Sequence, residues 1–121
     1  IATATSNNTL LDCMFQMTNK KIGCIVILNH DNTIFGFFTD GDIRRYLLKH
    51  DNTNNFNNKL INIKNLINLN PTTTFDNIKI FELYEKMKHT SKLLSGVPVI
   101  NTSYKLIGLI NRTIIKESGI I

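Results

Sequence analysis

The side chains best suited to hold a ligand stand together in one short stretch of the sequence: Thr39, Asp40, Gly41, Asp42, Arg44 and Arg45. The Asp42 carboxylate can accept hydrogen bonds from both hydroxyls of a diol, and Thr39 adds a hydroxyl three residues earlier. Gly41 would let a ligand approach the backbone closely. Arg44 or Arg45 can present a fork of donors to a phosphate or a sugar-acid carboxylate. The pattern therefore predicts a site for a polar, anionic ligand.

The spacing from Thr39 to Asp42 also has a purely structural interpretation, because Thr-x-x-Asp is close to a helix-capping box. Asp40 and Asp42 would favour the positive end of a helix dipole in any protein. For Arg44 and Arg45, a solvated helix face explains the charges equally well. By spacing alone the cap is somewhat favoured over the ligand site, and one carboxylate can serve both.

Catalysis would need further groups, and the sequence does not supply them. It has no Ser/His/Asp or Cys/His arrangement, no glycine-rich phosphate loop and no other pair of carboxylates. His30, His50 and His89 are scattered, without a cysteine or carboxylate at the spacing of metal ligands. We therefore expect a binding module with no catalytic residue, no metal and no cofactor of its own.

The candidate residues lie where a strand is predicted to run into a helix. Residues 34–38 form an apolar run, and Ile43, Tyr46 and Leu47 follow at the spacing of a helix over about 41–49. Backbone N–H groups collect at such a junction, where they can bind anions and sugar hydroxyls.

The second half of the chain repeats the first. Each half has a helical stripe followed by two apolar runs, and residues 23–27 align with 96–100. Asp76 or Asn77 is predicted to cap the helix of the second copy. The polar stretch itself is not repeated.

By the same alignment Thr39 corresponds to Asn111, and Asp42 corresponds to Ile114. An aliphatic side chain cannot hold a diol, so we expect one competent cleft at most. Asn111 and its neighbour Arg112 could still add polar contacts.

The repeat predicts the domain organisation. One copy spans 1–50 and the other 71–121, and a linker strap at 51–70 begins with the Asn-rich residues 51–58. Because each copy is too small to bury a core alone, we expect the two to pack about a pseudo-two-fold axis. The predicted fold class is α+β, with two helices and a small sheet in each repeat.

Composition limits the possible partners and cellular location of the chain. The net charge of +5 is spread over predicted helix faces and linkers, which argues against a nucleic-acid partner. No apolar stretch reaches the length of about 20 residues that a membrane helix needs. Cys13 and Cys24 fall in apolar patterns, which favours a reducing, cytoplasmic location. Because the chain starts at Ile1 without Met, we expect an excised segment of a longer protein.

The repeated order, residues 98–100 (Pro-Val-Ile) and residues 38–45 (Phe-Thr-Asp-Gly-Asp-Ile-Arg-Arg) resemble a tandem pair of CBS domains over essentially the whole chain. Residues 38–45 and the ending at 110–121 are similar to the C-terminal pair of D-arabinose-5-phosphate isomerases. CBS modules of sugar nucleotidyltransferases carry a very similar motif. In the isomerases, the stretch equivalent to 111–114 usually carries His and Asp, which are missing here.

The resemblance implies a regulatory module in which Thr39 and Asp42 hold the ribose of a nucleotide or nucleotide-sugar, such as an adenine nucleotide or CMP-Kdo. It further implies an absent N-terminal isomerase domain of lipopolysaccharide (Kdo) biosynthesis, and a homodimer or higher homo-oligomer formed through the CBS pairs. Two alternatives remain open. The chain could be a structural dimerisation module without a ligand, or it could be the module of a nucleotidyltransferase.

Overall fold

A computed structural model describes residues 1–49 and 63–119, and the chain forms two compact units, Ile1–Asn70 and Pro71–Ile121. The first unit contains β1 (Thr3–Ala4), α1 (Leu10–Lys20), β2 (Cys24–Leu28), β3 (Ile34–Thr39), α2 (Asp40–Lys49) and a single 3-10 turn (Ile63–Asn65). The second contains β4 (Thr74–Phe75), α3 (Ile80–Met87), α4 (Lys92–Ser95), β5 (Val97–Ile100), β6 (Leu106–Ile110) and α5 (Arg112–Glu117).

Each unit is built on a sheet of three strands, in the orders β1-β2-β3 and β4-β5-β6. The short first strand runs parallel to the central one, and the third pairs with it as an antiparallel hairpin. These elements confirm the predicted α+β fold class. The second unit differs from the expected pair of helices, because an additional short helix, α4, lies between α3 and β5.

The core of the first unit forms where the sequence is most apolar. Residues 24–27 of β2 are all buried, as predicted for a strand covered on both faces. The helix α1 buries Leu10, Cys13 and Met17 at helical spacing against this sheet. Its N-terminus is closed by a capping box between Thr9 and Asp12.

Residues 63–70 belong to the first unit and cover its hairpin. Ile63 and Leu66 are buried in the first core. The backbone of Phe37 in β3 donates to the Asn68 carbonyl at 3.1 Å and accepts from the Asn68 N–H at 2.8 Å. This bridge closes the outer edge of β3. The rest of the predicted linker, 51–62, lies outside the described residues.

Gly36 is required by this arrangement. A Cβ atom at position 36 would lie 2.0 Å from Cγ2 of Ile67, which packs directly over the glycine. The equivalent Gly108 in β6 has only the Cβ of Val99 near its absent side chain, at 3.8 Å. The two glycines thus occupy equivalent positions in the repeat, but only Gly36 is required by the packing of a neighbouring side chain.

The hairpins correct the predicted alignment of the two copies. Gly36 lies opposite Ile27, and Gly108 lies opposite Val99, so Val99 takes the place of Ile27 rather than that of Val26. The turns at 29–33 and 101–105 have the same length and the same backbone hydrogen bonds. An uninterrupted apolar run contains no marker of register, and the alignment of 23–27 with 96–100 was therefore wrong by one residue.

The predicted cap of the second helix is also wrong. The N-cap of α3 is Lys79, without a side-chain hydrogen bond, rather than Asp76 or Asn77. The Asp76 N–H donates to the Ile100 carbonyl at 3.0 Å, so this residue extends the pairing of β4 with β5. A turn then precedes the helix, since the Ile78 N–H donates to the Phe75 carbonyl at 3.2 Å.

Candidate ligand-binding site

The junction of β3 and α2 forms the predicted capping box. The Thr39 N–H donates to Oδ2 of Asp42 at 2.9 Å, and the Asp42 N–H donates to Oγ1 of Thr39 at 3.1 Å. Just after Thr39, the Asp40 N–H donates to the Gly23 carbonyl at 2.9 Å, which ties the start of the helix to the head of β2. The structural interpretation of this spacing is therefore confirmed.

The second oxygen of Asp42 faces a cation. Nη2 of Arg45 lies 2.6 Å from Oδ1 of Asp42, in an ion pair between residues three apart on the helix. The carboxylate is 34% exposed and the arginine is 71% exposed. A diol could reach Oδ1 from solvent, but it would have to share or replace the guanidinium.

The predicted site residues separate onto two faces of α2. Asp40 and Arg44 are four residues apart and line a cavity toward α1. Asp42 and Arg45 line a different cavity beside the 63–70 segment. An α-helix turns by about 100° per residue, so the side chains of consecutive residues point in different directions and cannot all line one cavity. The site predicted from the sequence therefore combines residues from two different faces of α2.

The cavity toward α1, called here the apolar groove, has a volume of about 510 Å³. Its floor is aliphatic and methionine-rich, with Lys21, Asp40 and Arg44 as its charged members. Burial, together with the nearby Asp40 charge, raises the pKa of the Cys24 thiol in β2 to about 11. With this lining, the groove offers mainly apolar surface and few polar groups that could bind a sugar.

The other cavity, called here the polar cavity, also has a volume of about 510 Å³ and is lined by Asp42, Arg45, Tyr46, Lys49, Asn65 and Leu66. It brings a carboxylate, two cations and an amide together. Tyr46 and Lys49 were missing from the predicted site, although their spacing from Asp42 on the helix places them on its face. Asn65 could not have been found in this way, because it comes from the predicted linker strap, in a 3-10 turn well separated from α2 along the chain.

Gly41 is not needed for the local fold. A Cβ atom there would meet Nη1 of Arg45 at 3.4 Å and Oγ1 of Thr39 at 3.5 Å, which are ordinary contacts. Any requirement for glycine at this position would therefore come from a ligand. Its close-approach role stays a prediction.

The second unit keeps the cap and lacks the carboxylate. Oδ1 of Asn111 accepts a hydrogen bond from the Ile114 N–H at 2.8 Å, as Oγ1 of Thr39 does from Asp42. Ile114 is 39% exposed beside this cap. The predicted correspondence of Asn111 with Thr39 and of Ile114 with Asp42 is thus confirmed.

Comparison with known proteins identifies the family. The model of the CBS domain matches residues 1–49 and 63–118, and the chain therefore belongs to the CBS domain family, as a tandem pair. The methylated protein MJ0556 of Methanocaldococcus jannaschii is 27% identical over 115 residues, which are 93% of this chain and 62% of that protein. The chain thus spans about three-fifths of the length of this relative.

Two solved structures share the fold. The CBS domain pair of protein MJ0100, in complex with 5-methylthioadenosine and S-adenosyl-L-methionine, superposes with a TM-score of 0.81 at 19% identity, covering 98% of this chain and 90% of that one. CBSX2 of Arabidopsis thaliana, in complex with AMP, superposes with a TM-score of 0.75 at 18% identity, covering 99% and 87%. In the part of the chain that the structure describes, no helix is long and apolar enough to cross a membrane.

Proposed function

We propose that this CBS pair is a regulatory module that binds an adenine nucleotide or a nucleotide-sugar such as CMP-Kdo at the polar cavity. The observation that carries this proposal is the partly exposed Asp42 carboxylate, which pairs with Arg45 and lines the same cavity as Lys49. The adenosine ligands of the two similar CBS pairs support it.

The ribose diol would bind Oδ1 of Asp42 and displace the guanidinium of Arg45, while Oδ2 remains in the helix cap. The freed Arg45 and the nearby Lys49 would then face the negative groups of the ligand. In this arrangement Thr39 holds Asp42 in place and adds its hydroxyl at the edge of the site. Arg44 and Asp40 face the apolar groove, so we expect them to contribute little.

Calorimetry with AMP, ATP and CMP-Kdo tests the site. We expect saturable binding of at least one of these ligands, and a loss of about tenfold to a hundredfold in affinity in Asp42→Asn, because a hydrogen bond to a charged group is lost. The matched control is Asp12→Asn, since Asp12 closes the equivalent capping box on α1 and lies outside the polar cavity. Absence of heat with every ligand, or an equal loss in both variants, would refute the proposal.

Gly41→Ala separates folding from binding. Because its Cβ atom makes only ordinary contacts, we expect an unchanged melting temperature. A fall in affinity in this variant would show that the ligand approaches the backbone there. Unchanged affinity would show that the ligand does not approach the backbone at Gly41, and the role proposed for Asp42 would be unaffected.

We further propose that ligand binding modulates an arabinose-5-phosphate isomerase domain on the same polypeptide. This step rests on the similarity of residues 38–45 to the pairs carried by those enzymes. Coupling requires the ligand to bind two domain arrangements with different affinity. In the intact polypeptide, the ligand should change isomerase activity in the wild type and leave it unchanged in Asp42→Asn. If that polypeptide instead transfers a nucleotidyl group to a sugar, the alternative of a sugar nucleotidyltransferase is favoured.

A structural dimerisation module is the second candidate function. It is favoured by the engagement of both Asp42 oxygens within the chain, by Thr39 and Arg45, and by the absence of a carboxylate at Ile114. Sedimentation equilibrium would then give a dimer whose stability does not respond to nucleotides. A dimer that tightens or dissociates with nucleotide would instead favour sensing.

A further inference from the structure

The polar cavity is built from two parts of the chain, and they contribute different chemistry. All of its charged groups stand on α2 at intervals of three and four residues: Asp42, Arg45 and Lys49. The 3-10 turn and the residue that follows it contribute an amide, Asn65, and an aliphatic side chain, Leu66. The groups proposed to bind the ribose and the phosphate therefore all belong to α2, and the turn adds only uncharged groups.

The turn holds Asn65 between two buried residues. Ile63 is fully buried and Leu66 is buried beside it in the first core. The Leu66 N–H donates to the Ile63 carbonyl at 2.8 Å, which closes the turn. The backbone at Asn65 is therefore fixed before a ligand binds, and only the torsions of its exposed side chain remain to be ordered.

The amide of Asn65 has no structural task in the segment. Within 1–49 and 63–119 its side chain makes no hydrogen bond. Asn68, three residues later, differs in this respect, because its Oδ1 accepts the Asn70 N–H at 3.0 Å. The fold of the segment therefore accounts for the side chain of Asn68 but not for that of Asn65, whose two donors and one acceptor are available to a ligand.

The uncharged part of the lining matches a nucleobase. Tyr46 offers an aromatic ring and Leu66 an aliphatic surface, against which a flat ring can pack. Adenine and cytosine each carry an amino group beside a ring nitrogen. An amide can accept a hydrogen bond from the first and donate one to the second. The volume of about 510 Å³ is within the range of sites for small ligands.

We propose that Asn65 recognises the base of the nucleotide, through two hydrogen bonds to its amino-bearing edge. The ring of the base packs against Tyr46 and Leu66, while the ribose is bound by Asp42. The inference rests on the proposed function, and it adds the part of the cavity that receives the base and the residue that sets the preference for adenine or cytosine.

Asn65→Asp tests this role through the preference between two bases. A carboxylate only accepts hydrogen bonds, so it is mismatched with the ring nitrogen of adenine and matched with the N1–H and 2-amino donors of guanine. In calorimetry on the full chain, we expect the ratio of AMP affinity to GMP affinity to fall at least tenfold relative to the wild type. Because the two nucleotides carry the same phosphate, repulsion by the added charge cancels in this ratio. ATP and GTP provide the same comparison.

Asn65→Leu removes both hydrogen bonds without adding a charge. We expect an unchanged melting temperature, because the amide makes no hydrogen bond to any residue that the structure describes. Binding of AMP, ATP or CMP-Kdo, whichever the wild type binds, should weaken about tenfold. The matched control is Asn70→Leu, which alters the same type of residue in the same segment but outside the cavity, and it should bind as the wild type does.

Asp42→Asn reports on the proposed function separately. If it loses affinity while Asn65→Leu binds as tightly as the wild type, the ribose site stands and the role of Asn65 is wrong. An unchanged ratio of AMP to GMP affinity in Asn65→Asp, or an equal loss in Asn65→Leu and Asn70→Leu, would also overturn the inference. If Asn65→Leu does not fold, the ratio in Asn65→Asp decides. A wild type that binds none of the nucleotides would refute both proposals.

Discussion

Asp42 shows how one side chain can serve structure and recognition together. Its Oδ2 accepts a hydrogen bond from the Thr39 N–H in the helix cap, and its Oδ1 pairs with Arg45, an exposed cation. A ligand that replaces Arg45 would leave the cap intact. The capping and binding interpretations of Thr-x-x-Asp are therefore compatible at the level of atoms.

The two cysteines lead to a prediction at the same scale. Burial raises the pKa of both Cys13 and Cys24 to about 11, with smaller contributions from Asp12 and Asp40 respectively. Because the folded pKa is the higher one, the protonated thiols stabilise the folded chain below about pH 9, and this contribution is lost as the pH rises toward 11. Native thiols should therefore react slowly with iodoacetamide at neutral pH.

The measurement is the free energy of unfolding between about pH 9 and pH 11. The wild type should lose more stability over this range than the variant with both Cys13→Ala and Cys24→Ala, since the cavity cost of the substitutions does not depend on pH. Parallel curves for the two proteins would contradict the raised pKa values.

At the scale of elements, the same hairpin is used in two ways. In the first unit residues 63–70 return across β3 and require Gly36, whereas β6 carries Gly108 without such a neighbour. We expect Gly36→Ala to destabilise the first unit by about 1–3 kcal/mol, because the added methyl must displace Ile67. Gly108→Ala is the matched control and should be nearly neutral.

Urea unfolding followed by circular dichroism distinguishes the two glycine variants. Ile67→Ala in the background of Gly36→Ala should recover part of the loss, since it removes the clashing atom. Equal stabilities for Gly36→Ala and Gly108→Ala would mean that Ile67 moves aside at little cost.

The helix α5 offers a second prediction for an element. It has only half of a capping box, because Ile114 stands where α2 has Asp42. Ile114→Asp should place a carboxylate near the Asn111 N–H and the positive end of the helix, and should stabilise α5 by about 0.3–1 kcal/mol. Ile114→Ala is the control, since it removes the half-exposed side chain without adding an acceptor. If the aspartate variant is no more stable than the alanine variant, the predicted stabilisation of α5 by a carboxylate at position 114 is wrong.

For the whole molecule, the unequal repeats predict the stoichiometry of binding. Only the first copy has a carboxylate at the helix junction, so we expect one nucleotide per chain. Calorimetric titration measures this number directly. Two equivalent sites per chain would show that Asp42 is dispensable for recognition, and in that case Asp42→Asn would retain full binding.

The sequence alone determined the class of fold, the hairpins, the junction of β3 with α2 and the correspondence of Thr39 with Asn111. The hairpins and the junction depend on residues two to four positions apart, and hydrophobic periodicity and capping chemistry record such spacings directly. The correspondence of Thr39 with Asn111 follows from the repeated order of the two copies. The loss of the carboxylate at Ile114 was predictable for the same reason.

Only the tertiary structure decided which groups share a cavity. It separated Asp40 and Arg44 from Asp42 and Arg45, and it brought Asn65 to the second pair. It also set the register of β5, placed Ile67 over Gly36, and left Gly108 uncovered. Such contacts join segments that are distant in the chain, and no local pattern records where a segment returns or which residue of an apolar run faces its partner.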